Sequence, residues 1–347
     1  MQVRTRRIRS LGRAQGGTVR LGASAPALAA LALALAATLA PGPAASARSV
    51  SLSDLTFTTA RLGWLRVSPG MGEAGTLYRT VDGGASWRVV SKAISATAVV
   101  FRNRLDGAAL VPVVGSEGMC QVSLTAVTTT DGGVTWHDPA AIRAEDAPLA
   151  LAFEGRTPVL LNASCAGPYG ALQAPAGATV WRVLGRLALP ARELKTFGSA
   201  SVVSLTPSGS FAVVGYSTYG QPGAPLLRGY VHRAGAGVGP KSWHSVPIGS
   251  QGLPGHLAAV SFANARDGVV ATANAQSTDL TLWATRDGGR TWSKAAVVAG
   301  DDQATLDLVN ARVAYASVTR LARAGTSSRL LKSTDGGLAW AALRLPR

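Results

Sequence analysis

Beyond about residue 48 the chain is a succession of short apolar runs broken by turn residues. "TAVVF" (97–101), "GAALVPVV" (107–114), "VSLTAVTTT" (122–130) and "GVVATA" (268–273) are typical. They are rich in Val, Thr and Phe and bounded by Gly, Asp, Asn and Ser, which is the pattern of short β-strands. No stretch of this region holds a helical period for about ten residues. The pattern predicts an all-β chain of many short strands.

The turns repeat. "TVDGGASW" (80–87), "TTDGGVTW" (129–136), "TRDGGRTW" (285–292) and "STDGGLAW" (333–340) are near-copies of one motif. Their aspartates, Asp82, Asp131, Asp287 and Asp335, stand 49, 156 and 48 residues apart. The long interval is about three short ones, so two degenerate units lie inside it. "AGATVW" (176–181) and "VGPKSW" (238–243) supply them, and the tryptophans then run 87, 136, 181, 243, 292, 340. A second mark has the same period: Phe57-x5-Gly63, Phe101-x5-Gly107 and Phe262-x5-Gly268, with Leu308 and Ala314 as a weakened copy. Internal repetition of about 50 residues, with four short strands in each unit, predicts a β-propeller. The count is six blades. A seventh could be accommodated in 187–250, where the tryptophan interval is longest.

Each motif is expected to be the turn between the third and fourth strands of a blade. Gly-Gly supplies positive φ. The Asp accepts hydrogen bonds from turn N–H groups and the preceding Thr or Ser adds another. Trp87, Trp136, Trp292 and Trp340 open the fourth strand and pack as large apolar rings. A phosphate-binding loop would need a lysine and a following helix, and a calcium loop would need acids at alternate positions. Neither pattern is present.

These residues resemble the Asp-box, or bacterial neuraminidase repeat, Ser/Thr-x-Asp-x-Gly-x-Thr/Ser-Trp, with Ala339 as the one departure. The arrangement F-x5-G followed by T-x-D-G-G-x-S/T-W looks most like the photosystem II assembly factor and its secreted bacterial relatives. The resemblance implies the propeller fold. It does not imply one activity, because such repeats also occur in sialidases, endoglucanases and sortilin-type receptors.

The N-terminus reads differently. Residues 1–22 carry six arginines and no acid, "APALAALALALAATLA" (25–40) is apolar, and Ala45-Ser46-Ala47 fits a small-x-small cleavage site. Residues 1–47 therefore read as a secretory signal peptide and 48–347 as a single propeller domain. An uncleaved anchor is the alternative, though the run is short for a span. The protein is expected to be secreted or extracytoplasmic and monomeric, with no membrane span once the signal is removed. The net charge of +16 falls to +10 with the signal. The remaining basic residues form no run, so the expected partner is an extracytoplasmic protein or glycan rather than nucleic acid. A lipid surface or an acidic protein would also suit the charge. Cys120 and Cys165, in an oxidising compartment, are expected to form a disulfide between blades 2 and 3. No cofactor or metal site is expected.

In a propeller the irregular connections gather on the face opposite the aspartate turns, and binding groups usually sit on such loops. Candidate ligand-binding residues there are Glu73, Glu117, Tyr216, Tyr219, Arg320 and Arg323, with Tyr169 beside them. The expected function is a non-enzymatic binding or assembly scaffold. A glycoside hydrolase of sialidase or endoglucanase type is the alternative, which would need two positioned carboxyls. Glu145-Asp146 and Asp301-Asp302 are the acidic pairs on that face. Asp106 and Asp267 precede turn glycines and read as structural. Arg102 is read as a residue of the opposite face. No Gly-x-Ser-x-Gly elbow occurs; His137 falls on an outer strand, His232, His244 and His256 have no evident Asp partner, and all four read as surface residues.

Overall fold

Every repeated aspartate turn closes the same β-hairpin, and the hairpins assemble into sheets of one kind. The computed structural model describes residues 50–346 except 70–72, 114–121, 145–148, 164–168, 176–179, 189–196, 207–209, 219–224, 233–242, 274–278, 300–302 and 323–324. Among the described residues there are 24 strands in six sheets. Each sheet has four consecutive antiparallel strands. The sheets cover 51–94, 98–144, 149–188, 197–248, 256–298 and 303–343, and are called blades 1 to 6 in that order. Residues 197–248 form one sheet, so that stretch holds no extra blade. All of this lies in one compact unit, Ser46–Arg347.

The first strands of successive blades touch around a ring, and blade 6 touches blade 1 to close it. These strands are Ser51–Phe57, Ala98–Phe101, Leu149–Glu154, Phe197–Leu205, His256–Phe262 and Gln303–Leu308. Blade 6 takes all four strands from the C-terminal end of the chain, so no strand is exchanged across the closing seam.

The turn chemistry is the same in four blades. In blade 2, Asp131 Oδ1 accepts from the backbone N–H groups of Val134 (2.9 Å) and Thr135 (3.0 Å) and from the Thr129 hydroxyl (2.8 Å). The Thr135 hydroxyl donates to its Oδ2 at 2.5 Å. Thr129 is buried and accepts from Gly133 N–H at 3.0 Å. Gly132 and Gly133 have φ of 82° and 96°, which a side chain would strain. The N–H of Gly132 donates 2.8 Å to the carbonyl of Leu105, tying this turn to the one between the first and second strands. Equivalent bonds occur at Asp82, Asp287 and Asp335. The carboxylates are held by so many donors that their pKa falls: to about 2 at Asp82 and at Asp287, and below the usual range at Asp131 and Asp335.

Blades lock together through aromatic stacks. Trp64, at the start of the second strand of blade 1, stacks on Phe101 of blade 2 with centroids 3.8 Å apart. Its Nε1 donates to the carbonyl of Gly132 at 3.2 Å. Phe101 in turn meets the edge of Trp136 at 6.1 Å. The recurrent Phe thus sits between its own blade's turn Trp and the preceding blade. Gly107 follows from this packing, because a Cβ there would lie 2.7 Å from the Phe101 ring.

Candidate functional site

The innermost strands enclose a channel of about 300 Å³ on the ring axis. Its wall is mostly Val, Ala and Leu with Ser and Thr, and it carries two carboxylates, Asp54 and Asp307. Asp54 has φ of 51°, at an irregular register in the first strand of blade 1. That conformation directs the side chain to Arg66 on the next strand, with Nε–Oδ2 of 2.5 Å. Both side chains are buried. Burial pushes the Asp54 carboxyl up and the guanidinium opposes it; a backbone bond from Val99 of blade 2 also opposes it. Asp307, in blade 6, accepts from the N–H of Phe57 in blade 1 at 2.5 Å. Burial raises its pKa to about 7. Ser261 does the same in blade 5, accepting from Leu308 N–H at 2.9 Å. Both carboxylates therefore bridge neighbouring blades.

At one end, where the first strands begin, the channel opens into a polar recess of about 460 Å³ between blades 1, 5 and 6. This is the face of the irregular connections. Ser51, Ser53, Ser68, Thr305, Ser317 and Thr319 supply hydroxyls, while Arg66, His256 and Gln303 supply nitrogen donors. His256 and Gln303 are exposed, and Arg66 is fixed by Asp54 and by the carbonyl of Glu73 at 3.1 Å. A concave site with several convergent polar groups is the usual form of a small-ligand site. The other mouth, about 400 Å³, is lined by Phe57, Phe153, Leu308 and Arg102 among others. Arg102 stands there as expected, paired with Asp106.

Of the candidate binding residues, Glu73 is exposed beside Arg66 and contributes its backbone. Two need correction. Tyr216 lies within the second strand of blade 4, Phe211–Thr218, and is fully buried. Its hydroxyl donates to the carbonyl of Leu187 (3.4 Å) and meets that of Tyr230 at 3.3 Å. It is a core residue because the strand extends past the point where the apolar run suggested an end. Arg320 is exposed, but 317–328 is not a loop. It is a hairpin of Ala314–Ala322 and Gly325–Ser333, with Arg320 opposite Ser327. Its alternating Ser, Val and Thr suit pairing. Likewise Tyr169 begins the third strand of blade 3. Glu117, Tyr219, Arg323, Cys120, Cys165, Glu145, Asp146, Asp301 and Asp302 lie outside the described residues.

Sequence reasoning missed Asp54, Arg66 and Asp307, since none belongs to a motif. It also missed that His232 pairs with Glu154 at 3.0 Å between blades 3 and 4. Among the described residues no cluster of His, Cys, Asp and Glu could hold a metal, and no helix is long and apolar enough to cross a membrane.

No protein-family model matches the chain, and no curated protein matches it. Solved structures do. The GH93 α-L-arabinofuranosidase of Fusarium graminearum in complex with arabinobiose superposes with a TM-score of 0.52 at 11% identity, covering 82% of this chain and 93% of that one. An α-L-arabinanase of Penicillium chrysogenum complexed with arabinobiose gives 0.50 at 14% identity, with the same coverage. At these identities the likeness is one of fold: an all-β chain of four-stranded antiparallel blades arranged as a β-propeller.

Proposed function

We propose that the protein is an exported β-propeller that binds a glycan at the recess between blades 1, 5 and 6, as a non-enzymatic binding or assembly scaffold. The observation that carries this reading is the recess itself: a ring of hydroxyls with one fixed arginine, one histidine and one glutamine, of a size that takes one or two sugar rings. Hydroxyl, amide and guanidinium groups pair well with a polyhydroxylated ligand. The aspartate turns match the Asp-box pattern, and the two fold relatives were solved with arabinobiose, but the reading rests on the recess rather than on them. Export rests on the N-terminal composition.

Hydrolysis is the second reading. Asp307 favours it, as a channel carboxyl with its pKa near that of a general acid. Against it, Asp307 is bonded to the backbone of Phe57, and Asp54 to Arg66. The test is a glycan array followed by calorimetry with the purified protein and the double variant His256→Ala, Gln303→Ala. Binding that falls at least tenfold in the folded variant supports the recess. Glycan binding that is unchanged removes it. Turnover of chromogenic arabinosides, lost in Asp307→Asn, would make the protein a hydrolase.

A further inference from the structure

The face opposite the recess carries a ring of arginines that the sequence does not reveal. In five of the six blades the turn between the first and second strands presents an exposed arginine: Arg61, Arg104, Arg156, Arg266 and Arg312. The corresponding stretch of blade 4, 206–210, has no arginine in its sequence, and its centre lies outside the described residues. None of the five guanidiniums makes a hydrogen bond or ion pair among the described residues. They belong to turns far apart in the chain, and the ring brings them around one channel mouth. Arg79 stands near Arg104 and pairs across strands with Arg88, and its pKa is lowered by burial first and then by repulsion from these two guanidiniums.

The acids of this face offset this charge only in part: Asp106 lies within electrostatic reach of Arg156, but no carboxylate forms an ion pair with any of the five among the described residues. Asp106 and Asp267 are paired with Arg102 and Arg286 within their own blades. The four turn aspartates lie farther from the axis, and their oxygens are taken by turn N–H groups and hydroxyls. The face also holds half of the protein's exposed large aliphatic side chains among the described residues: Val81, Leu105, Val134 and Leu338, each 43–56% exposed. All four sit in the turns of this face. Four blades use a turn of equal length between the first and second strands, and four use the same aspartate turn.

We infer that this face docks on an anionic lipid surface. A ring of exposed arginines without ion-pair partners among the described residues, with aliphatic side chains among them, matches a plane of phosphates over hydrocarbon. A small anion would be served by one sector, and a soluble polyanion would have no use for the aliphatic tips. Arginines near such a surface each contribute about fivefold to partitioning, screened by salt. The recess then faces away from the membrane, toward its ligand.

The experiment is vesicle co-sedimentation of the compact unit Ser46–Arg347, which contains all six blades. The vesicles are phosphatidylcholine alone, or equal parts phosphatidylcholine and phosphatidylglycerol. Binding is expected on the anionic vesicles only and should weaken with salt. The triple variant Arg61→Gln, Arg104→Gln, Arg266→Gln should lose about a hundredfold, and Lys92→Gln, in the outer strand of blade 1, should lose little. Val134→Ser with Leu338→Ser should weaken binding at all salt concentrations. The inference is overturned by absence of binding to the anionic vesicles, or by binding that the triple variant retains. Retention of heparin without vesicle binding would instead assign the face to an anionic polysaccharide. Circular dichroism of each variant excludes misfolding, and glycan binding at the recess should be unaffected throughout.

Discussion

The seam between blades 1 and 2 is crossed by the chain; the seam between blades 6 and 1 is not. Their chemistry is nevertheless the same. Trp64 stacks on Phe101 and donates to Gly132; Tyr315 stacks on Phe57 at 3.5 Å and donates to Gly83 at 3.3 Å. Phe57 meets the edge of Trp87 as Phe101 meets Trp136. The closing seam adds bonds of its own: Asp307 to Phe57 N–H, the Ser328 hydroxyl to the carbonyl of Val50 (2.7 Å), and Tyr315 to the carbonyl of Ala60 (2.9 Å). With no exchanged strand, these side-chain contacts and one backbone bond, from Val50 N–H to the carbonyl of Thr326 at 3.3 Å, hold the ends of the ring together. At the seam between blades 5 and 6 the aromatic pair is replaced by Val269 and Leu308, packed in one aliphatic cluster. The parallel-stacked pairs thus flank blade 1, while Phe211 and Phe262 meet at a tilt, 6.2 Å apart, across the seam of blades 4 and 5.

The largest effect should come from breaking the locks. Tyr315→Ala and Trp64→Ala each remove a fully buried ring, which costs about 3–5 kcal/mol. Urea denaturation of both variants tests the equivalence. A Tyr315→Ala cost under about 1 kcal/mol beside a full Trp64→Ala cost would mean that the closing seam contributes little.

Replacing Asp307 with serine transplants the blade 5 solution to the closing seam. The Asp307 pKa is raised to about 7 from an unfolded value near 4. Its contribution is therefore fully present below about pH 4, declines as pH rises, and is lost above about 7. Asp307→Ser should flatten the stability profile between these limits. It should cost about 1–3 kcal/mol at pH 4 and less, or nothing, at pH 8. Urea midpoints across this range measure it; parallel profiles for the two proteins would show that Asp307 does not titrate there.

The aspartate turns should titrate the other way. Asp82 has a folded pKa of about 2, so its contribution is present above about pH 4 and lost as pH falls through 2. Because the bonds to Ser86 are solvent-exposed, Asp82→Ala should cost only about 1 kcal/mol. Carbon-detected titration of the aspartates would check the order, with the turn aspartates below Asp307. Smallest of all should be Lys332→Gln. The Lys332 Nζ bond to the carbonyl of Gly83 (3.1 Å) is partly exposed, worth under about 1 kcal/mol. A larger loss would mark that clasp as part of the lock.

Much of this architecture was legible in the residues because the repeat is local. A Thr-x-Asp-Gly-Gly turn closes on itself within five residues, so its form survives wherever it occurs. The recurrent Phe and Gly were legible for the same reason: they meet across one hairpin. The site was less legible. Asp54, Arg66 and Asp307 carry no motif, and their pairing needs a positive φ at Asp54 and the closure of blade 6 on blade 1. Tyr216 and Arg320 were misplaced because strand ends depend on the partner strand, which alternation alone does not reveal.

By itself, the sequence determined the fold class, the period, the turn chemistry and which face carries the irregular connections. These follow from interactions within some fifty residues, and composition reports them directly. Tertiary structure decided what stands together around the axis. The recess draws on blades 1, 5 and 6, the arginine ring on five turns, and the buried carboxylates on neighbours as much as 250 residues away. Closing the ring turns one position per repeat into a continuous surface, and only closure brings those positions within reach of one ligand.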